Sequence, residues 1–398
     1  VDEQTAHETD MAGPRLAAAR RMVKRLVAHL AAGGTTDFAD EPMAVDPAIY
    51  TDAARAEAEM QRVWLRAPLL VGLSCELSAP GERLLFEELG HSVLVVRGDD
   101  GVARGFRNLC RHRGARLVGA GGAACTASDL LRCPFHGWTY ALDGRLLGQP
   151  GRSGFEALLM PELGLLPVPV SERHGMLFVH LDGAAAIDVT GFLGPFNGAL
   201  ALLQLGELRL HRRSALTAAC NWKLALDTYA ESYHFGVLHA ESIGRSHHAN
   251  VAAFDDFGLH WRMGFASRAL DALVGAPLHC WPDGELEAVH YLFPNTVLVA
   301  GALRGGGRYL RVFRLFPHPG IGAVRCRLAA YAAPPELPNP FLVDDLDSEV
   351  TWEDYRVAEG IQANLETAVP GFRPVFGRNE IGVQAVHRAL ARVLERGL

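Results

Sequence analysis

The sequence predicts an α+β fold: a small all-β domain set into a larger domain in which helices cover an antiparallel sheet. Three observations lead there. From Ala67 to about Val179 the chain consists of short β-rich runs, punctuated by Pro80-Gly81, Asp99-Asp100-Gly101 and Asp143-Gly144. From Phe192 onward helix-length segments and strand-length segments succeed one another. At 398 residues the chain is also too long for one ordinary core, so two or three domain-sized units are expected.

The elements follow in order. Leu16, Val23, Leu26 and Leu30 fall on one stripe of a helix over 16–32, with Arg20, Arg21, Lys24 and Arg25 interspersed. We read residues 1–60 as an N-terminal helical segment that packs on the larger domain. Residues 61–180 form the β domain, with strands at Leu84-Leu85-Phe86, Ser92–Val96 and Leu177–His180 and a Gly/Ala-rich loop over 114–129. Residues 181–398 form the larger domain. In it Trp222–His239 reads as one helix, followed by strands around Ala288–Val299, Tyr309–Phe316 and Ala323–Ala332. Gly305-Gly306-Gly307 makes a turn, and two helices close the chain near Val343–Glu366 and Gly382–Glu395.

Composition narrows the function. A net charge of -7 with no block of five like charges argues against nucleic acid and against an anionic membrane surface as partners. No apolar stretch approaches the roughly 18 residues of a membrane span, and the N-terminus lacks a secretory apolar region. Seven cysteines, an odd count at irregular spacing, do not make a disulfide framework; a reducing cytoplasm is expected.

Two clusters of ligand-type residues stand out. The first is Cys110-Arg111-His112-Arg113-Gly114 and Cys133-Pro134-Phe135-His136-Gly137-Trp138, two short Cys/His pairs separated by residues 113–132. Two thiolates and two imidazoles suit tetrahedral zinc or a mixed iron–sulfur cluster. Zinc knuckles usually pair like ligands, as C-x2-C or H-x3-5-H; here each knuckle carries one Cys and one His. Cys125, inside the intervening loop, reads as a spectator thiol. The second cluster is Glu231, His234 and His239, with a carboxylate far down the chain. Two His and one carboxylate form the facial triad of non-heme Fe(II) oxygenases, which leaves positions open for O2. Histidines five apart lie about 140° apart on a regular α-helix, so a π-type turn or a break at Gly236 is expected. Glu231, three before His234, shares its face and suits a hydrogen bond to a ligand imidazole.

With its flanking His-Arg-Gly and Pro-Phe-His-Gly-Trp, the first cluster closely resembles the Rieske motif. Together with Asn221-Trp222-Lys223 and the second cluster, the chain over roughly residues 40 to 395 resembles the catalytic (alpha) subunit of Rieske-type non-heme iron ring-hydroxylating oxygenases. The resemblance implies a Rieske domain inserted into a helix-grip-like catalytic domain. It implies a [2Fe-2S] cluster on Cys110, His112, Cys133 and His136, and Fe(II) on His234, His239 and a carboxylate early on a late helix, best matched by Asp354. Glu353 would point about 100° away, and Asp344, Asp345 and Asp347 read as a solvated face.

The activity implied is that of a terminal oxygenase. Electrons from NAD(P)H would arrive through a reductase, with or without a ferredoxin, and O2 would be the co-substrate. The assembly implied is a homotrimer, or a trimer with a second subunit, in which Glu231 bridges the cluster of one subunit and the iron of the next. Many members carry Asp at that position. Tyr291, Phe293, Leu298, Phe313 and Phe316 suggest a pocket for an apolar or aromatic small molecule, with His247, His248 and Asn250 available to hold a polar group. Oxidative demethylation of an amine, quaternary ammonium or methoxy compound is the alternative, and an electron carrier without oxygenase activity is the rival of another class.

Overall fold

The structure is a computed structural model that describes residues 17, 19–119, 129–182, 187–281, 287–302, 307–333 and 349–398. Cys125, Gly305, Gly306, Asp344, Asp345 and Asp347 lie outside the described residues. Contacts divide the chain into two units. One comprises Trp64–Phe192 with Gln204–Glu207; the other comprises Leu193–Leu203, Leu208–Leu398 and the residues before Trp64.

The first unit is built from small antiparallel sheets. Strands β1 (Leu69–Leu73), β2 (Arg83–Glu88), β3 (His91–Arg97) and β4 (Ala103–Arg107) are followed by β5 (Leu130–Arg132), β6 (Thr139–Ala141) and β7 (Leu146–Gly148). Then come β8 (Pro167–Val168), β9 (Val170–Arg173) and β10 (Met176–Val179). β2, β3, β4 and β8 form one sheet in that order, β9, β10 and β1 a second, and β5, β6 and β7 a third. Two-residue hairpins join β2 to β3 and β9 to β10. Both central residues of each, Leu89-Gly90 and His174-Gly175, have positive φ, the twist that suits adjacent antiparallel strands. The third sheet shares a core with β3 and β4: Leu94, Val96, Phe106, Leu131, Trp138 and Tyr140 bury together with Cys110 and Cys133.

The second unit centres on a seven-stranded antiparallel sheet. Its strands are β11 (Arg209–Ala218), β12 (His247–Asp256), β13 (Trp261–Ser267), β14 (Ala288–Leu292), β15 (Thr296–Ala302), β16 (Arg308–Pro317) and β17 (Val324–Ala332). The spatial order is β11-β17-β16-β15-β14-β13-β12. The segment read as one strand over 288–299 is therefore two strands of a hairpin. Side chains alternate between faces. The register sets Trp261, Tyr291, Val297, Phe313 and Leu328 in one cross-strand row on one face.

Helices cover both faces. Helix α1, whose described residues run over 19–31, buries Met22, Leu26 and Val27 against Val251, Ala253, Ala266 and Ala288. On the same face Phe196 stacks on His260. The opposite face carries α2 (Ala53–Glu59), α3 (Trp222–Asp227), α4 (Glu349–Glu366) and α5 (Ile381–Arg396). There α3 contacts β16 and β17, α4 contacts β11, and α5 contacts β13. In α5 Val383, Val386, Leu390 and Val393 form the buried stripe.

A second predicted element is corrected. The chain over 222–239 is not a single helix: α3 stops at Asp227, and a 3-10 turn over Tyr233–Gly236 follows. Thr228 Oγ1 donates back to the Ala225 carbonyl, and the Ser232 carbonyl accepts from Asn250 N–H on β12 at 3.0 Å as well as from Phe235 N–H at 3.3 Å. Short i→i+3 bonds and this tertiary hydrogen bond take the place of the α-helical ladder there.

Candidate active site: two metal-ligand clusters

The two Cys/His loops of the first unit have matching backbones. Cys110 N–H donates to the Ala115 carbonyl at 2.8 Å and Gly114 N–H to the Cys110 carbonyl at 2.9 Å; Cys133 N–H donates to Trp138 at 2.8 Å and Gly137 N–H to Cys133 at 3.1 Å. Gly114 and Gly137 have φ of 74° and 72°, a left-handed turn that glycine adopts without strain. The unequal spacings, C-x-H and C-x2-H, thus sit in loops of equal length. Both sulfurs are buried, while His112 Nδ1 and His136 Nδ1 lie 3.2 Å apart at the exposed edge. Trp138 stacks on His112 at 5.0 Å and fixes its plane.

Tyr140 Oη accepts from Arg111 N–H and lies 3.2 Å from Cys110 Sγ, so its own hydrogen is free for the sulfur. Burial pushes the Cys110 thiol up, against the pull of Tyr140 and the His112 backbone. The neutral Cys110 thiol is thus favoured unless a cation offsets the thiolate charge. Two buried sulfurs at one end and two converging ring nitrogens at the other fit a mixed Cys/His iron–sulfur cluster. Tyr140 is a residue that sequence reasoning missed; its position two residues after Trp138 was the available signal.

The second unit brings the other cluster together. His234, His239 and Asp354 offer ligand atoms that all lie within 4.8 Å of one another. Asp354 Oδ1 is 2.9 Å from His239 Nε2 and 3.4 Å from His234 Nε2. Each ring is held from behind by a carboxylate. His234 Nδ1 donates to Glu231 Oε1, and His239 Nδ1 donates to Glu353 Oε2 at 2.7 Å. Tying down Nδ1 leaves the Nε2 lone pairs aimed inward, the arrangement of a metal site with its supporting carboxylates. Burial works against charging His234, but hydrogen bonds to Asp354 and Glu231 outweigh it and push the ring up to about 9. A site that attracts protons so strongly also attracts a cation, and two imidazoles with one carboxylate suit non-heme iron.

The expected break before His239 is present, as a 3-10 turn rather than a π-turn at Gly236. It closes His234 and His239 to 4.9 Å between ring centroids. Glu231 holds that turn as well, since its Oε2 accepts from the Tyr233 and His234 backbones. Gly244 N–H donates to the His239 carbonyl, and a Cβ at Gly244 would sit 2.6 Å from that oxygen. Glu353, the second-choice ligand of the sequence reading, is instead the partner of His239 and of Ser242 Oγ.

The expected pocket lining needs revision. Tyr291 and Phe313 are on the face of α3, where Phe313 meets Tyr229 at 5.0 Å. Strand alternation turns Leu298 and Phe316 to the opposite face. The chain after His239 forms a single 3-10 turn over Ile243–Arg245. His248 is paired with Asp271, and Asn250 accepts from Asn379. Phe235 and Phe265, not foreseen, lie beside the cluster: Phe235 meets His234 at 5.1 Å, His239 at 5.9 Å and Phe265 at 5.4 Å.

Each cluster lies within a region that matches a known family. Residues 67–162 match the family model of the Rieske [2Fe-2S] domain, and residues 205–396 match that of the ring hydroxylating alpha subunit (catalytic domain). The glycine betaine monooxygenase oxygenase subunit of Chromohalobacter salexigens is 37% identical over 48% of this chain and 42% of its own length. The carnitine monooxygenase oxygenase subunit of Escherichia coli is 27% identical over 89% of this chain and 95% of its own. The alignments at 31–37% identity to the glycine betaine and carnitine enzymes cover 42–56% of those proteins, so this chain spans about half the length of the curated relatives it matches at that identity. A quaternary ammonium Rieske monooxygenase solved with L-carnitine superposes with a TM-score of 0.74 over 90% of this chain and 96% of that one, at 21% identity. The chain belongs to the Rieske non-heme iron oxygenases, as an alpha-type subunit. Its two domains are those that bind a Rieske [2Fe-2S] cluster and a mononuclear non-heme iron.

Proposed function

We propose that this chain is a terminal oxygenase component that oxidises a small quaternary ammonium compound, ending in N-demethylation or hydroxylation. The observation that carries the oxygenase reading is the convergence of His234, His239 and Asp354 behind two orienting carboxylates. The substrate class rests on the relatives, whose names specify glycine betaine and carnitine. It replaces the apolar or aromatic compound that the strand residues alone suggested.

We assign Cys110, His112, Cys133 and His136 to the cluster and His234, His239 and Asp354 to the iron. The functional domains in this reading are 61–180 and 181–398, with 1–60 packed on the latter. When bound, the cluster supplies single electrons and the iron activates O2. The chain's own part is positional. Glu231 and Glu353 keep each Nε2 lone pair directed inward, and the rings of Phe235 and Phe265 shield the site from water. The partners in this reading are an NAD(P)H-dependent reductase, acting directly or through a ferredoxin, and further copies of the chain in a trimer, with or without a second subunit. The setting is the cytoplasm; among the described residues no helix is long and apolar enough to cross a membrane.

The test is metal analysis with O2 uptake. Purified protein should hold about three irons per chain and show a Rieske EPR signal. With a reductase it should consume O2 on addition of glycine betaine or L-carnitine and release a demethylated product. One or two metals without O2 uptake would reduce the chain to an electron carrier or zinc module. Uptake with biphenyl or naphthalene alone would restore the aromatic reading.

A further inference from the structure

Glu287 stands at the start of β14, on the face of the sheet that carries α3. The printed register pairs Gly264 with Ala288, Ala288 with Ala300, and Gly301 with Tyr309. Continued by one residue, it makes a cross-strand row of Phe265, Glu287, Gly301 and Tyr309. Side chains in such a row are neighbours. Contacts agree: Tyr309 Oη donates to Glu287 Oε2. The ring of Tyr309 reaches across Gly301, where a Cβ would lie 2.9 Å from it. Glycine at 301 is therefore what lets the Tyr309 ring lie flat on the sheet beside the carboxylate.

This row adjoins the metal cluster. Phe265 meets Phe235, and Phe235 meets both His234 and His239. His247 lies on the other side of Phe235, at 6.4 Å. Among the described residues no Lys, Arg or His forms an ion pair with Glu287. His247 feels its charge, but burial outweighs that pull and holds the ring below its ordinary range, so it stays neutral near pH 7. Arg311 lies over the Tyr309 ring at 5.5 Å.

An exposed carboxylate held by a tyrosine hydroxyl, in a cross-strand row with a second ring and in no ion pair with a described residue, is suited to a ligand cation. The carboxylate supplies Coulomb attraction, and the ring faces attract a soft ammonium that offers no hydrogen bonds. Tyr309 holds the carboxylate in place through its hydroxyl, so Glu287 is pre-positioned.

We propose that Glu287, fixed by Tyr309 and facing Phe265, is the counter-ion that selects a quaternary ammonium group at this active site. The inference rests on the substrate class proposed above and assigns the residue that would enforce it. Glu287 is a specificity residue; it touches no assigned metal ligand.

The test compares a cation with its neutral twin. Glycine betaine and tert-butylacetate differ by carbon for nitrogen, so shape and carboxylate are held constant. Binding of each, and of L-carnitine, is measured by calorimetry on the iron-loaded protein without reductase, with metal content and circular dichroism as controls. The wild type should prefer the cation. Glu287→Gln should weaken binding of the cation by roughly tenfold or more and leave tert-butylacetate unchanged. Glu287→Asp should recover part of the loss, and Tyr309→Phe should cost a few-fold. Equal binding of the cation to wild type and Glu287→Gln, with demethylation intact in the wild type, overturns the assignment and leaves the function standing. If the wild type neither prefers the cation nor oxidises either quaternary ammonium compound, the substrate class fails and this role of Glu287 fails with it. A loss shared equally by cation and isostere makes Glu287 a structural residue.

Discussion

His239, proposed above as an iron ligand, shows how one side chain is held between two acids. It is fully buried, its Nδ1 donates to Glu353, and its Nε2 faces Asp354. Adjacent carboxylates on α4 thus serve opposite edges of one ring. The sequence placed Glu353 about 100° from Asp354 around the helix and for that reason ranked it second as a ligand. The same rotation carries it behind the imidazole. What the sequence could not supply was the position of the ring between the two acids, because that depends on how the 3-10 turn meets α4. Asp354→Ala should remove about one iron per chain and leave the Rieske EPR signal. Glu353→Gln should keep the iron site but weaken it by about 10- to 100-fold, as expected for a residue that orients a ligand; chelator competition for Fe(II) measures this. Full iron and turnover in Asp354→Ala would move the third ligand elsewhere, and unchanged affinity in Glu353→Gln would make its hydrogen bond incidental.

The segment Asn221–His239 shows where local pattern stops governing structure. Its first turn was legible: Asn221 caps α3 by accepting from Lys223 N–H. Beyond Asp227 the apolar spacing still fits a helix, yet tertiary contacts end it. Lys223 and Glu59 bind α3 to α2 through a buried ion pair, 1% and 2% exposed, with 2.9 and 2.8 Å contacts. Burial lowers the Lys223 ammonium while Glu59 opposes that fall. Trp222 Nε1–H also donates to Glu59 at 3.3 Å. Nothing in the sequence links positions 59 and 223, which is why this pair was not foreseen. Midway along the same segment, Gly382 on α5 sits where a Cβ would come within 2.3 Å of the Ala230 carbonyl. The segment is thus held at its start and its middle by helices remote in sequence. Removing one partner of a buried pair leaves a charge without compensation, so Glu59→Gln should cost about 3–5 kcal/mol. Chemical denaturation should show this as a lower midpoint. A midpoint within error of wild type would mean that Lys223 deprotonates or reaches water at no cost.

The two-domain plan was readable because each cluster lies close together in sequence: two short Cys/His loops and one Glu/His segment. How copies of the chain combine is not written locally, and Glu231 is the residue that tests it. In the assembly proposed here, Glu231 joins His234 of one subunit to the exposed edge of His136 in the next. Within the chain, one Glu231 oxygen binds His234 and the other caps the 3-10 turn. The imidazole edge of His136 is exposed beside His112. Glu231→Gln keeps the size and one carbonyl acceptor but loses the charge. Charge-assisted hydrogen bonds are roughly twice as strong as neutral ones, so the link should weaken while the turn survives. Both metal sites should remain filled, and dithionite should still reduce the cluster. Reoxidation of that cluster by O2 with substrate, followed in a single turnover, should slow by about two orders of magnitude or more. Wild-type rates in this variant would confine Glu231 to the turn that it caps, and the cross-subunit link would have to be sought elsewhere. Loss of the mononuclear iron would make Glu231 a ligand and reopen the assignment of Asp354.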